Sequence, residues 1–179
     1  MHKKIPNIFT FISDFKKEQI LKLSKDTGII YRNYKEKNNI LRILKIKHFC
    51  KQNNRKFYLA NNIKLAINLN LDGAYIPSFN RGILLNHSYK KKFLLMGSAH
   101  NIYQIRQKEK QNIDLLFLSP LFKTKDYKNG LGIIKFNLLS NLTKKKIIAL
   151  GGINKKNINK LKLANIYGFS GISYFLNNF

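Results

Sequence analysis

A chain of 179 residues, 44% of them hydrophobic, can bury one sizeable core, and its composition shows no break, so a single domain over residues 1–179 is expected. The formal charge of +26 raises polyanion binding, in which clustered Lys and Arg release phosphate counterions. The lysines are instead dispersed in short runs such as Lys16-Lys17, Lys90-Lys91-Lys92 and Lys144-Lys145-Lys146, so a solvated basic surface that attracts phosphorylated small molecules is favoured over nucleic acid as a partner.

The single cysteine, Cys50, excludes an internal disulfide and reads as a core residue in a reducing compartment. No apolar run approaches a membrane span, and the Ile5–Ile12 stretch ends at Asp14 without a signal-peptide cleavage pattern. A cytoplasmic protein without membrane association is expected.

Short apolar and β-branched runs recur, each followed by a longer stretch with apolar spacing of three and four, the pattern of repeated β/α units. Strands are expected at Ile8–Ile12, Gly28–Tyr31, Lys56–Leu59, Gly73–Ile76, Phe93–Gly97, Leu115–Leu118, Ile147–Leu150 and Gly168–Ile172. Between the second and third, Ile40, Leu41, Leu44 and His48 fall on one helix face. Asn62–Asn70 reads as a short helix with Leu65, Ala66 and Leu69 inward, and Gly73 permits a tight turn into the next strand. Pro120, Asn129-Gly130 and Gly132 make the connection after the sixth strand the longest irregular loop, while Ile158, Leu161 and Leu163 support the seventh helix. Little chain follows Ile172, so a shortened C-terminal helix is expected.

Eight such units predict a compact α/β fold, a (β/α)₈ TIM barrel trimmed below the ~200 residues usual for that architecture. An open doubly wound sheet is the competing arrangement, but neither GxGxxG nor GxxxxGK[ST] occurs in the sequence to support it.

Three segments carry chemistry. Ile148-Ala149-Leu150-Gly151-Gly152-Ile153-Asn154 is an apolar strand ending in paired glycines and a helix-starting asparagine. Such glycines let the backbone approach a phosphate, and the following N–H groups point at the anion; a plain tight turn capped by Asn154 is the alternative. Gly97-Ser98-Ala99-His100 follows the fifth strand and Ser119-Pro120-Leu121-Phe122-Lys123-Thr124 the sixth. In a barrel all three lie on the catalytic face.

On these segments the chain resembles the thiamine phosphate synthase and TenI family. The resemblance rests on Ser98-Ala99-His100, Pro120-Leu121-Phe122-Lys123-Thr124 and Ala149-Leu150-Gly151-Gly152-Ile153, with Leu65-Ala66 and Leu71-Asp72-Gly73-Ala74-Tyr75 as a further match. It covers about Asn61 to Ile172, strongest after Gly97. It implies a transferase that joins an aminopyrimidine pyrophosphate to a thiazole phosphate in thiamine biosynthesis, with Mg²⁺ on the pyrophosphate.

The resemblance also assigns residues. Gly151 and Gly152 would hold the thiazole phosphate, Thr124 would offer a hydroxyl, and Lys125 or Lys128 would reach a phosphate in place of the loop lysine that aligns with Tyr127. Arg32 and Asn61 would face the pyrophosphate. Ser98 and His100 are the catalytic candidates, His100 as a general acid or base or else as a structural histidine. The two metal aspartates correspond to Asn62 and Asn80, degenerate positions because neutral amides bind a hard cation poorly; any Mg²⁺ would be brought by the pyrophosphate itself. The TenI-type tautomerase would need a histidine where Pro120 stands. A non-catalytic barrel that binds a thiazole phosphate and a basic polyanion binder stay open as alternatives, and a homodimer is compatible with each.

Overall fold

Runs such as Gly28–Tyr31 and Leu115–Leu118 are buried at every residue, as a parallel strand covered on both faces must be. The computed structural model describes residues 5–36, 39–82, 93–125 and 127–171. Its eight parallel strands are β1 (Ile8–Ile12), β2 (Gly28–Tyr31), β3 (Phe57–Ala60), β4 (Gly73–Ile76), β5 (Leu94–Ala99), β6 (Leu115–Leu118), β7 (Lys146–Leu150) and β8 (Gly168–Ser170). They close in sequence order into a barrel, so the open sheet is excluded. Closure joins β1 to β8, with Ile8 opposite Phe169 and Phe9 opposite Ser170.

Alternate strand residues point to the axis and to the helices. Phe9, Phe11, Tyr58, Tyr75, Met96 and Phe117 belong to a buried cluster drawn from the strands, which fills the bore. The Phe117 ring lies 5.3 Å from Phe9, 6.0 Å from Phe11 and 5.4 Å from Tyr75, edge-on to each, the arrangement that aromatic quadrupoles favour. Gly28 makes room for this plug, since a Cβ there would stand 2.7 Å from Phe9 Cδ1. Gly73 serves another close approach: its Cβ would meet the Leu94 carbonyl oxygen at 2.0 Å, so the residue expected to ease a turn instead lets β5 lie against β4.

The outer layer holds α1 (Lys17–Leu21), α2 (Ile40–Gln52), α3 (Ile63–Asn68), α4 (Ile102–Lys110), α5 (Gly132–Ser140) and a 3₁₀ segment, Ile158–Leu163. Two expectations change here. The buried face of α2 is Ile43, Ile46 and Cys50, whereas Leu41 is 73% exposed and Ile40, Leu44 and His48 also lie on the exposed side. Both stripes have helical spacing, and only packing against β2 and β3 chooses between them. The seventh connection is no α-helix: it is the 3₁₀ segment, in which Leu161 is buried and Leu163 is exposed.

In α3, Ile63 and Ala66 are buried, with Leu65 and Leu69 packed partly buried against the same core. The connection from β4 to β5 spans 77–93 and is longer than the loop after β6; residues 83–92 of it, Ile172, Ser173 and the eighth helix lie outside the described residues. Among the described residues no helix is long and apolar enough to cross a membrane.

Cys50 is buried as expected, and desolvation pushes its thiol up to about 12. Its folded pKa lies above the unfolded value, so it favours the folded state at lower pH and that contribution is lost as pH climbs from the ordinary thiol range toward 12. Native protein should therefore resist thiol-alkylating reagents at mildly alkaline pH and react only after unfolding, as read by mass spectrometry. Phe117→Ala should cost about 3–5 kcal/mol in chemical denaturation, because the other rings of the plug cannot collapse into the gap.

Candidate active site at the barrel mouth

The carboxyl ends of the strands deliver the candidate residues to one face, the rim on which barrels of this kind place their loops. They fall into two groups. On one side Arg32 follows β2, Asn61 follows β3 and Asn80 lies beyond β4. The Asn80 side-chain Nδ2 donates to Asn61 Oδ1 at 2.8 Å, and Asn61 adopts φ 58, a left-handed conformation that asparagine tolerates better than most residues. The Arg32 guanidinium lies 4.4 Å above the Phe11 ring, so the charge at the rim rests on the aromatic plug below.

Two aromatic residues not singled out in the sequence complete this side. The exposed rings of Tyr34 and Phe79 meet edge-on at 5.6 Å. Partial burial raises the Tyr34 phenol above its ordinary range, and the Arg32 charge opposes the shift. Ser98 is buried inside β5 rather than in a loop and hydrogen-bonds Tyr75, whose phenol burial pushes up to about 12. Planar side chains at a rim carry no periodic signal, so only their convergence reveals them.

On the other side, His100 Nδ1 lies 2.9 Å from the Ser119 carbonyl oxygen and 3.1 Å from Ser119 Oγ. A carbonyl can only accept, so Nδ1 is the donor in that contact. The imidazole stacks on Tyr127 at 5.9 Å. The Tyr127 N–H donates to Thr124 Oγ1 at 3.1 Å and the Thr124 N–H to the Tyr127 carbonyl at 3.0 Å, closing a turn that holds the exposed Lys125.

Gly151 and Gly152 take positive φ, 95 and 69, and both are hemmed in. A Cβ on Gly151 would lie 2.7 Å from Pro120 Cβ, and one on Gly152 would lie 2.4 Å from the Lys123 carbonyl oxygen. The Phe122 N–H donates to the Gly151 carbonyl at 3.1 Å. The paired glycines thus seat the Pro120–Thr124 loop against β7. Asn154 does not cap an α-helix: its Oδ1 accepts the Lys156 N–H, and Asn157 Nδ2 donates to the Gly152 carbonyl at 2.8 Å.

The degenerate metal positions do not act as a pair. Asn62 caps α3, its Oδ1 accepting the Leu65 N–H at 2.9 Å, while Asn80 Oδ1 accepts the Gly82 N–H at 3.1 Å. Among the described residues no group of three or more His, Cys, Asp or Glu could hold a metal ion. Residues whose amide oxygens are already committed do not fit a protein-held Mg²⁺.

A closed barrel whose catalytic-face rim carries basic and amide groups on one side, and a glycine-seated loop with a histidine on the other, defines a (β/α)₈ barrel of the kind that handles phosphorylated small molecules. A family model described as thiamine monophosphate synthase matches residues 17–175. The chain belongs to that family.

It is 26% identical over 165 residues to a putative thiamine-phosphate synthase 2 of Aquifex aeolicus, covering 91% of this chain and 78% of that protein. It is 29% identical over 120 residues to a thiamine-phosphate synthase of Prochlorococcus marinus, a longer protein of which the match covers 35%, against 65% of this chain. Among solved structures, a thiamine phosphate pyrophosphorylase from Pyrococcus furiosus superposes with a TM-score of 0.76 at 17% identity, over 94% of this chain and 86% of that one.

Gly152→Ala should destabilise the fold by about 1–3 kcal/mol, because a side chain at positive φ must also displace the Lys123 carbonyl. A lowered thermal midpoint is the expected result.

Proposed function

We propose that the mouth is a divergent thiamine phosphate synthase site that keeps the thiazole-phosphate end and has rebuilt the pyrophosphate end. The observation that carries this is the seating of the Pro120–Thr124 loop on Gly151 and Gly152, kept while the two positions where carboxylates were expected are amides committed elsewhere, Asn62 capping α3 and Asn80 donating to Asn61. Backbone N–H groups beside Gly152 and the lysines Lys123, Lys125 and Lys128 supply positive potential for the thiazole phosphate. Arg32 offers a fork to the leaving pyrophosphate. Tyr34 and Phe79 supply aromatic faces for a planar pyrimidine.

Ser98 and His100 have different work. The buried Ser98 holds Tyr75 and would line the floor beneath the reacting ring. His100, with its Nδ1 proton held by Ser119, would offer Nε2 as an acceptor beside the thiazole. No residue stands in for the base of a tautomerase of the TenI type, since Pro120 occupies that place packed on Gly151.

A second reading, a barrel that binds thiazole phosphate without turnover, draws on the neutral amides Asn62 and Asn80 at the metal positions. Calorimetric titration with thiazole phosphate and with pyrimidine pyrophosphate, each with and without Mg²⁺, separates the two when the mixture is also assayed for thiamine phosphate. Thiazole phosphate is expected to bind in the presence of a chelator, and thiamine phosphate to form when both substrates and Mg²⁺ are present. Binding without product moves the assignment to the non-catalytic reading; binding of neither substrate rejects both.

A further inference from the structure

Lys108, on α4, is fully buried. Its ammonium donates to the Pro77 carbonyl at 2.8 Å, the Asn80 carbonyl at 2.7 Å and Gln111 Oε1 at 2.8 Å. Three acceptors match the three N–H donors of a lysine. Gln111 Nε2 reinforces the grip through the Asn80 carbonyl at 3.1 Å and the Gly82 carbonyl at 2.7 Å, and Gln107 Nε2 takes the Arg81 carbonyl at 2.8 Å. Consecutive turns of one helix thereby hold the backbone of the loop after β4 from beneath.

The barrel is shaped to admit this side chain. A Cβ on Gly97 would lie 2.8 Å from Lys108 Cδ, so β5 lacks a side chain where the lysine stem crosses. The acceptors are all neutral, and burying an ammonium without a carboxylate is unfavourable; desolvation lowers the Lys108 pKa to about 8. A methionine or leucine would fill the same space without that cost. The charge is therefore to be explained by what the loop carries: Phe79 against Tyr34 and the Asn80 side chain against Asn61.

We propose that Lys108 is a positioning residue for the anion-binding end of the mouth. It locks the 77–82 loop so that Asn80 and Phe79 meet Asn61 and Tyr34, and it places a fixed positive charge beneath the rim in place of the charge that a carboxylate-held metal would bring. Because a trans peptide points its N–H opposite its C=O, the two carbonyls that accept from Lys108 turn the Ser78 and Arg81 amides away from the ammonium, and their polarisation strengthens those N–H groups as donors. This rests on the reading of the mouth as a site for a pyrophosphate and a thiazole phosphate, and it identifies how the first of these is held.

The test compares Lys108→Met with the wild-type chain in calorimetric titrations with inorganic pyrophosphate and, separately, thiazole phosphate, with chelator present throughout. Pyrophosphate affinity should fall at least about tenfold while thiazole phosphate affinity stays within about twofold. In an Asn80→Ala background the same substitution should weaken pyrophosphate binding by less than it does in the wild-type chain, because part of its effect runs through the Asn80 side chain.

Equal weakening of both ligands, unchanged pyrophosphate binding, or full additivity with Asn80→Ala would overturn the inference. Should Lys108→Met not fold, Gln111→Met cuts the same loop loose more gently and must show the same split between ligands. A wild-type chain that binds neither ligand overturns the reading of the mouth and this inference together; one that binds both and is indifferent to Lys108 overturns the inference alone.

Discussion

Strands of three to six residues make few ladder hydrogen bonds each, so what holds them in a ring is the packing of Phe117 among Phe9, Phe11 and Tyr75 along the axis. The rings come from β1, β4 and β6, and their edge-to-face contacts across the bore reward closure of the ring, which no strand gains alone. The same plug reaches the rim: Phe11 underlies the Arg32 guanidinium, and Tyr75 hydrogen-bonds Ser98. Loosening the core would therefore be felt at the mouth, because Arg32 and Ser98 sit directly on it.

The rim divides its labour between two kinds of support. The glycine-seated side is held by backbone, with Gly151 and Gly152 excluding side chains so that the loop carrying Pro120 to Thr124 lies in van der Waals contact. The amide side is held by side chains from below, chiefly the Lys108 ammonium and the Gln111 amide. A family whose chemistry calls for carboxylates and a metal is represented here by amides above a buried cation.

Local pattern made most of the architecture legible. The runs at Ile8–Ile12, Gly28–Tyr31, Gly73–Ile76 and Leu115–Leu118 coincide with the observed strands because a parallel strand buried on both faces must be apolar at successive residues. The segments around His100, Thr124 and Gly151 were visible through the order and spacing of their motifs, while family membership rests on the family model that matches residues 17–175. What the sequence did not disclose concerns direction. Ile40, Leu41 and Leu44 form as regular a stripe as Ile43, Ile46 and Cys50, and helical period alone cannot say which one faces a sheet that other segments supply.

The periodicity of this chain was sufficient to specify alternating β/α units, since those depend on residues close together along the chain, whereas closure of the strands into a barrel was settled against an open sheet by contacts between distant segments. Tertiary structure decided that Asn62 caps a helix while Asn61 meets Asn80, that Gly73 and Gly97 yield space to neighbouring segments, and that Lys108 lies beneath a loop from another unit instead of in solvent. A lysine reads as surface wherever it occurs, and only the convergence of three neutral acceptors from β4's loop and α4 makes its burial possible.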